Sequence, residues 1–181
     1  KDINHYTLET VRSKIGVILQ DVFLFADSIF NNITLYNKDI TMENVENAAK
    51  ELEIHDFINS LPGGYSFNVS ERGDTLSAGQ KQLIAFLRVL VNNPDILILD
   101  EATSSIDSYS EELIKNATKK ITKGKTSIII AHRLSTIESA DKIIYMENGK
   151  ILESGNHKQL LSISNGKFKK LYEEQFVEEL V

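Results

Sequence analysis

Three short apolar runs, each closing on a polar side chain, constrain the fold of this chain more than any other feature. Ile15 to Leu19 ends at Gln20, Ile96 to Leu99 ends at Asp100-Glu101, and Ser127 to Ala131 ends at His132. Unbroken apolar runs of this length suit strands buried on both faces, as in a parallel sheet lying under helices. In open α/β sheets, ligands sit just beyond the carboxyl ends of the strands. Three runs that each deliver a polar group at that edge point to one shared site. Between the runs lie helical patterns. Thr41 is placed to cap a helix in which Met42, Val45, Ala48, Ala49 and Leu52 form a core-facing stripe, with Glu43 favourable in its first turn. A second helix is predicted over Gly79–Asn92, with Leu83, Ile84, Leu87, Leu90 and Val91 inward. Asn93-Pro94 stops it, because the residue before proline disfavours α geometry. A third runs from Ser108 to Ile121, capped by Asp107 or Ser108. Tyr145 to Ile151 reads as a hairpin turning at Asn148-Gly149. The tail from Lys167 to Val181 reads as a terminal helix.

Composition narrows the class. The 181 residues suffice for one domain with a real core, and 41% hydrophobic with 25% charged residues is ordinary for a globular chain. The net charge of −6 argues against a large nucleic-acid footprint. No cysteine is present, so disulfides and thiolate metal sites are excluded. No apolar stretch approaches the roughly 20 residues that span a bilayer. The chain opens Lys1-Asp2-Ile3, without methionine, and is expected to be the middle of a larger polypeptide.

Leu61-Pro62-Gly63-Gly64 through Thr75 reads as a loop leading into Ser77-Ala78-Gly79-Gln80 at a helix start. Such a start offers unpaired backbone N–H groups and the positive end of the helix dipole. A serine hydroxyl and a glycine permitting close approach make it a phosphate-binding edge, although a serine cap alone is commonplace. No phosphate loop of the form G-x-x-x-x-G-K-[ST] occurs in the chain. Gly124-Lys125-Thr126 imitates its end. However, the required upstream glycine is Lys119, and the tripeptide opens a strand rather than a helix, so it reads as a turn with a solvated lysine. His5, His55 and His157 have no comparable context and are expected at the surface.

In this order the motifs resemble the nucleotide-binding domain of ATP-binding cassette (ABC) transporters, from just after the phosphate loop onward and over essentially the whole chain. Leu76 to Gln80 resembles the family signature, with Ala78 where glycine is usual. Ile96–Asp100 resembles the Walker B strand, Glu101 the adjoining catalytic glutamate, and Gln20 the Q-loop glutamine. Ser104-Ser105-Ile106-Asp107 resembles the D-loop and His132 the switch histidine. Val69-Ser70-Glu71-Arg72-Gly73 and Phe25 to Ile33 resemble segments typical of exporters of the multidrug or lipid type. The resemblance implies an α/β fold: a three-layer, mainly parallel, P-loop NTPase-like ABC ATPase core with a small helical subdomain. Residues 1–181 would form the C-terminal part of one ATP-binding domain. Residues of about 21–90 would be the helical subdomain and about 91–181 the catalytic core, with the N-terminal part and one central strand missing.

The resemblance also implies roles. Asp100 would hold Mg²⁺ with an oxygen from Gln20, hard ligands for a hard cation. Glu101 would orient or deprotonate the attacking water, and His132 would stabilise charge on the γ-phosphate of ATP. Ser77, Ala78, Gly79 and Gln80 would meet ATP bound by a second ATP-binding domain, with Asp107 along the same dimer seam. Expected partners are that second domain, the transmembrane domain of an exporter at the cytoplasmic face of the membrane, and a transported small molecule, lipid or peptide, but no nucleic acid. The alternatives are a soluble nucleic-acid-associated ABC ATPase and a non-catalytic regulatory cassette. Lacking a phosphate cradle, the chain alone is expected neither to bind ATP tightly nor to hydrolyse it, and to be marginally stable or associated.

Overall fold

The computed structural model describes residues 2–70, 75–100, 108–131 and 134–178. The chain divides into two compact units, residues 1–130 and 131–181.

In the first unit the elements run α1 (Leu8–Ser13), β1 (Ile15–Ile18), α2 (Ile29–Thr34), α3 (Met42–Glu51), α4 (His55–Ser60), α5 (Ala78–Asn92), β2 (Ile96–Asp100), α6 (Ser108–Thr122) and β3 (Thr126–Ile130). The three strands pair in the order β1-β2-β3, both pairs parallel, so their carboxyl ends share one edge. Register sets Gly16 beside Leu97 and Ser127, and Val17 beside Ile98 and Ile128. Because side chains alternate along a strand, these two rows lie on opposite faces.

The Gly16–Leu97 face is the covered one. Leu97 and Leu99 are buried there, in a single core with Leu83, Ile84, Phe86 and Leu87 of α5 and Leu113, Ile114, Ala117 and Ile121 of α6. The last four recur at helical spacing, which is why α6 lies flat on its partner. The helix α5 packs against α6, α2, α3 and β1. The opposite face departs from the expectation of strands buried on both sides: Val17 is 49%, Ile128 57% and Ile130 52% exposed. The apolar pattern asks for two covered faces, and among the described residues of this unit helices cover one.

Most local expectations hold. Ser77 caps α5, so the helix begins at Ala78, one residue earlier than its pattern indicates. Thr41 caps α3 through a reciprocal box with Asn44. Val45, Ala48, Ala49 and Leu52 are buried, but Met42, in the first turn, is 39% exposed and drops out of the stripe. Leu90 and Val91 are half-buried at the core's margin. Of the predicted loop Leu61–Thr75, residues 61–70 hold one 3₁₀ turn, Gly64–Ser66, whose Tyr65 is buried, and residues 71–74 lie outside the described residues. The Tyr65 hydroxyl lies 2.9 Å from His55 Nδ1, and Asn59 meets the other ring nitrogen at 2.9 Å. His55 is therefore a half-buried structural residue, not a surface one. Lys125 is not simply solvated either, since its Nζ donates to Asn93 Oδ1 at 2.9 Å.

The second unit holds α7 (Leu134–Glu138), the antiparallel hairpin β4 (Ile143–Glu147) and β5 (Lys150–Gly155), α8 (His157–Leu161) and α9 (Lys167–Glu178). The hairpin turns at Asn148 and Gly149, with φ of 50° and 74°, the positive pair that a tight two-residue turn requires. The Glu153 carboxylate accepts from the backbone N–H groups of Lys167 and Phe168 at 2.6 and 3.0 Å, which fixes the start of α9. Phe168 is buried, and its ring and that of Tyr172 flank His157, which is half-buried rather than at the surface.

Gly16 marks the tightest approach in the first unit. A Cβ there would lie 2.7 Å from the Pro94 ring and 3.1 Å from the Val89 side chain. Gly16→Ala should cost about 1–3 kcal/mol by overpacking, whereas Met42→Ala should stay within about 0.5 kcal/mol; urea unfolding of the two variants checks both values.

Candidate functional site

Two elements bring candidate residues into place. The first is the sheet edge. Register pairs Ile18 with Leu99, so β1 and β2 finish level, with Gln20 two residues past Ile18 and Asp100 one past Leu99. Asp100 is half-buried at the end of β2 and Gln20 is exposed just beyond β1. A carboxylate and an amide oxygen thus stand on adjacent strands at one edge. That donor set fits Mg²⁺, which keeps several waters and takes only one or two protein oxygens besides those of phosphates. Among the described residues no cluster of three or more acidic or histidine side chains forms a metal cage.

The second element is the start of α5. Ser77 has extended backbone geometry and its Oγ accepts from the Gln80 backbone N–H at 3.2 Å. Gln80 Oε1 accepts in return from the Ser77 backbone N–H at 3.0 Å. The box leaves capacity over. A hydroxyl that accepts one bond still has its own proton to donate, and the Gln80 amide retains its NH₂ donors. Ala78 and Gly79 sit in the first turn, where backbone N–H groups have no intrahelical acceptor. Donors on Ser77, Ala78, Gly79 and Gln80 together suit an anion at the positive end of a 15-residue helix. Glu101, Ser104, Ser105, Ile106, Asp107 and His132 lie outside the described residues, as does the whole Glu71-Arg72-Gly73 segment.

Past Gln20 lies a feature that the motifs do not announce. Val17, Leu19, Phe23, Phe25, Tyr36 and Arg88 line a largely apolar cleft of about 470 Å³. Phe23 and Phe25 meet edge to face at its rim, both exposed. Leu35 and Tyr36 take up the left-handed conformation in succession, with φ of 49° and 60°, unusual for non-glycine residues. The Tyr36 hydroxyl donates to Asp27, whose other carboxylate oxygen accepts from the Ser28 N–H and the Asn31 amide. These bonds, Tyr36's first, hold the Asp27 carboxyl below its ordinary range, while the same partner raises the Tyr36 phenol. Two aromatic residues within three positions, exposed after a strand, were the available sequence signal for this cleft.

An α/β fold with a parallel sheet, a carboxylate and an amide at its carboxyl edge, and an anion-receptive helix start define a nucleotide-dependent protein class. Comparison with known proteins gives the class its family. The family model described as ABC transporter matches residues 1–104. The chain is 52% identical over 165 residues to the alpha-hemolysin translocation ATP-binding protein HlyB of Escherichia coli, covering 91% of this chain and 23% of HlyB. It is 46% identical over 176 residues to the ABC transporter ATP-binding protein YknU of Bacillus subtilis, covering 97% of this chain and 30% of YknU. The solved structure of a bacterial Atm1-family ABC exporter with ATP bound superimposes with a TM-score of 0.82 at 39% identity, covering all of this chain and 31% of that one. The chain belongs to the ABC transporter family, and its fold is that of the family's ATPase core. It spans less than a third of the length of each of these relatives.

Ser77→Ala removes the cap while leaving the remainder of α5 intact. It should lower stability by about 1 kcal/mol in chemical unfolding, with little change in helix content by circular dichroism.

Proposed function

We propose that this chain is part of the ATP-hydrolysing portion of an ABC exporter, acting as an ATPase whose turnover drives export across a membrane. The observation that carries the reading is the capped, donor-rich start of α5 at Ser77–Gln80, in a chain that also sets Asp100 and Gln20 on one sheet edge. In this reading Asp100 and Gln20 hold Mg²⁺, Glu101 activates water, and His132 stabilises developing charge on the γ-phosphate. Ser77, Ala78, Gly79 and Gln80 serve a nucleotide held by a second such domain, with Asp107 at the seam between the two. Residues of about 21–90 act as a helical subdomain that carries the signature, and about 91–181 as the catalytic core.

The partner on the other side is a transmembrane domain, and the apolar cleft rimmed by Phe23 and Phe25 is the surface offered to it. No helix among the described residues is long and apolar enough to cross a membrane. The site of action is the cytoplasmic face of the membrane, and the cargo is a small molecule, lipid or peptide. No phosphate-loop motif occurs within the 181 residues, so the chain by itself lacks the cradle for β- and γ-phosphates.

The test uses the product of the complete gene beside its Glu101→Gln variant. The unaltered protein should hydrolyse ATP, and Glu101→Gln should lower turnover by about 10²-fold or more while nucleotide stays bound, as loss of a general base requires. The 181-residue chain alone should show no saturable ATP binding at micromolar nucleotide in calorimetry. Turnover undiminished in Glu101→Gln would remove the assigned role, and tight binding by the short chain would remove the need for a cradle outside it.

A further inference from the structure

Arg88 stands in the middle of an otherwise apolar stretch of α5, between Leu87 and Val89. Its guanidinium is largely buried, and burial lowers its pKa from the ordinary value. Among the described residues no carboxylate lies within ion-pair distance of it. A leucine or methionine there would fill the same space without the cost of desolvating a charge. What the arginine supplies instead is direction. Its Nε donates to the backbone oxygen of Asn32 at 2.6 Å and its Nη2 to Asn32 Oδ1 at 3.3 Å, a fork that a point charge such as lysine cannot reproduce.

Asn32 is fully buried, and its side chain is committed throughout. Oδ1 accepts from the Phe25 N–H at 2.8 Å as well as from Arg88. Nδ2 donates to the carbonyls of Phe25, Asp27 and Ser28 at 3.0, 3.3 and 3.1 Å. One asparagine therefore fixes the segment 25–28, whose Phe25 lines the cleft, and one arginine fixes that asparagine to α5. Ala78, the first residue of α5, lies ten residues before Arg88, about 15 Å along the helix. Over that length a tilt of about 5° displaces the start of α5 by about 1 Å, and errors of that size in a positioned group can cost about 10²-fold in rate.

We propose that Arg88 and Asn32 are positioning residues for the reaction: they make the cleft wall and α5 move as one piece, so that a displacement at Phe25 reaches Ser77–Gln80 undiminished. The inference rests on the ATPase reading above.

The test measures kcat, KM for ATP and melting temperature for the complete gene product, for Arg88→Lys and Arg88→Met, for Asn32→Ser, and for the Arg88→Lys/Asn32→Ser pair. Arg88→Lys keeps the charge and the aliphatic stem but not the fork. It should melt within about 2 °C of the unaltered protein, yet lose about tenfold or more in kcat. The double variant should be scarcely worse than the more affected single one, because Arg88→Lys loosens Asn32 from α5 and Asn32→Ser loosens residues 25–28 from Asn32, two breaks in one serial connection. Arg88→Met, which keeps the stem without the charge, takes the place of Arg88→Lys if the latter does not fold. Wild-type kcat in a variant of unchanged melting temperature overturns the proposal. So does a loss of kcat that merely follows a fall in melting temperature in both Arg88 variants, or additive effects in the pair. Absence of turnover in the unaltered protein overturns the ATPase reading instead, and the positioning role with it.

Discussion

Burial of α5 all round its circumference, over Gln82–Leu87, is the constraint on which the first unit depends. Leu83, Ile84, Phe86 and Leu87 are almost wholly removed from water, and the helix that carries them touches the sheet, α2, α3 and α6. Fixing such a helix from several sides also fixes its ends. The N-terminal end carries Ser77–Gln80, and the C-terminal end passes through Asn93, in left-handed geometry, into the strand that delivers Asp100. The two candidate elements are thus the two ends of one packed segment, and the apolar core between them sets where each can point. In a close-packed interior such a segment shifts as a body rather than bending, so an event at one end is felt at the other.

The uncovered sheet face and the Phe23–Phe25 cleft share one character. Both are apolar surfaces that a chain of this length leaves in contact with solvent, and the relatives it matches are more than three times as long. The apolar pattern of the first unit suits more cover than its described residues supply. Its charged features follow another logic. Asp27, Tyr36 and Asn31 brace the cleft at its rim, and Arg88 with Asn32 braces it from beneath.

Much of this was legible in the chain because it is local. The strand runs, the Thr41 and Ser77 caps, the Asn148-Gly149 turn and the stop at Asn93-Pro94 follow from backbone chemistry within a few residues. The helix start at Ser77 and the placing of Asp100 at the end of β2 were legible for the same reason. What was missed depends on partners far away in sequence. Asn32 and Arg88 are 56 positions apart, and nothing near either residue indicates the other. His55 reads as a surface residue in the sequence because its partner Tyr65 belongs to a loop whose path its own sequence does not dictate. The exposure of Val17, Ile128 and Ile130 could not be foreseen from periodicity either, since an apolar run records what a strand is suited to, not what covers it.

Ser77→Asp most directly separates an anion site at the start of α5 from a helix cap alone. Aspartate caps a helix as well as serine does and suits the dipole, so the substitution preserves the fold, but it places a fixed negative charge where a phosphate has to come. The complete gene product carrying Ser77→Asp should melt at or above the temperature of the unaltered protein and lose about 10²-fold or more of its ATP turnover. Undiminished turnover at unchanged stability would show that Ser77 does no more than begin a helix.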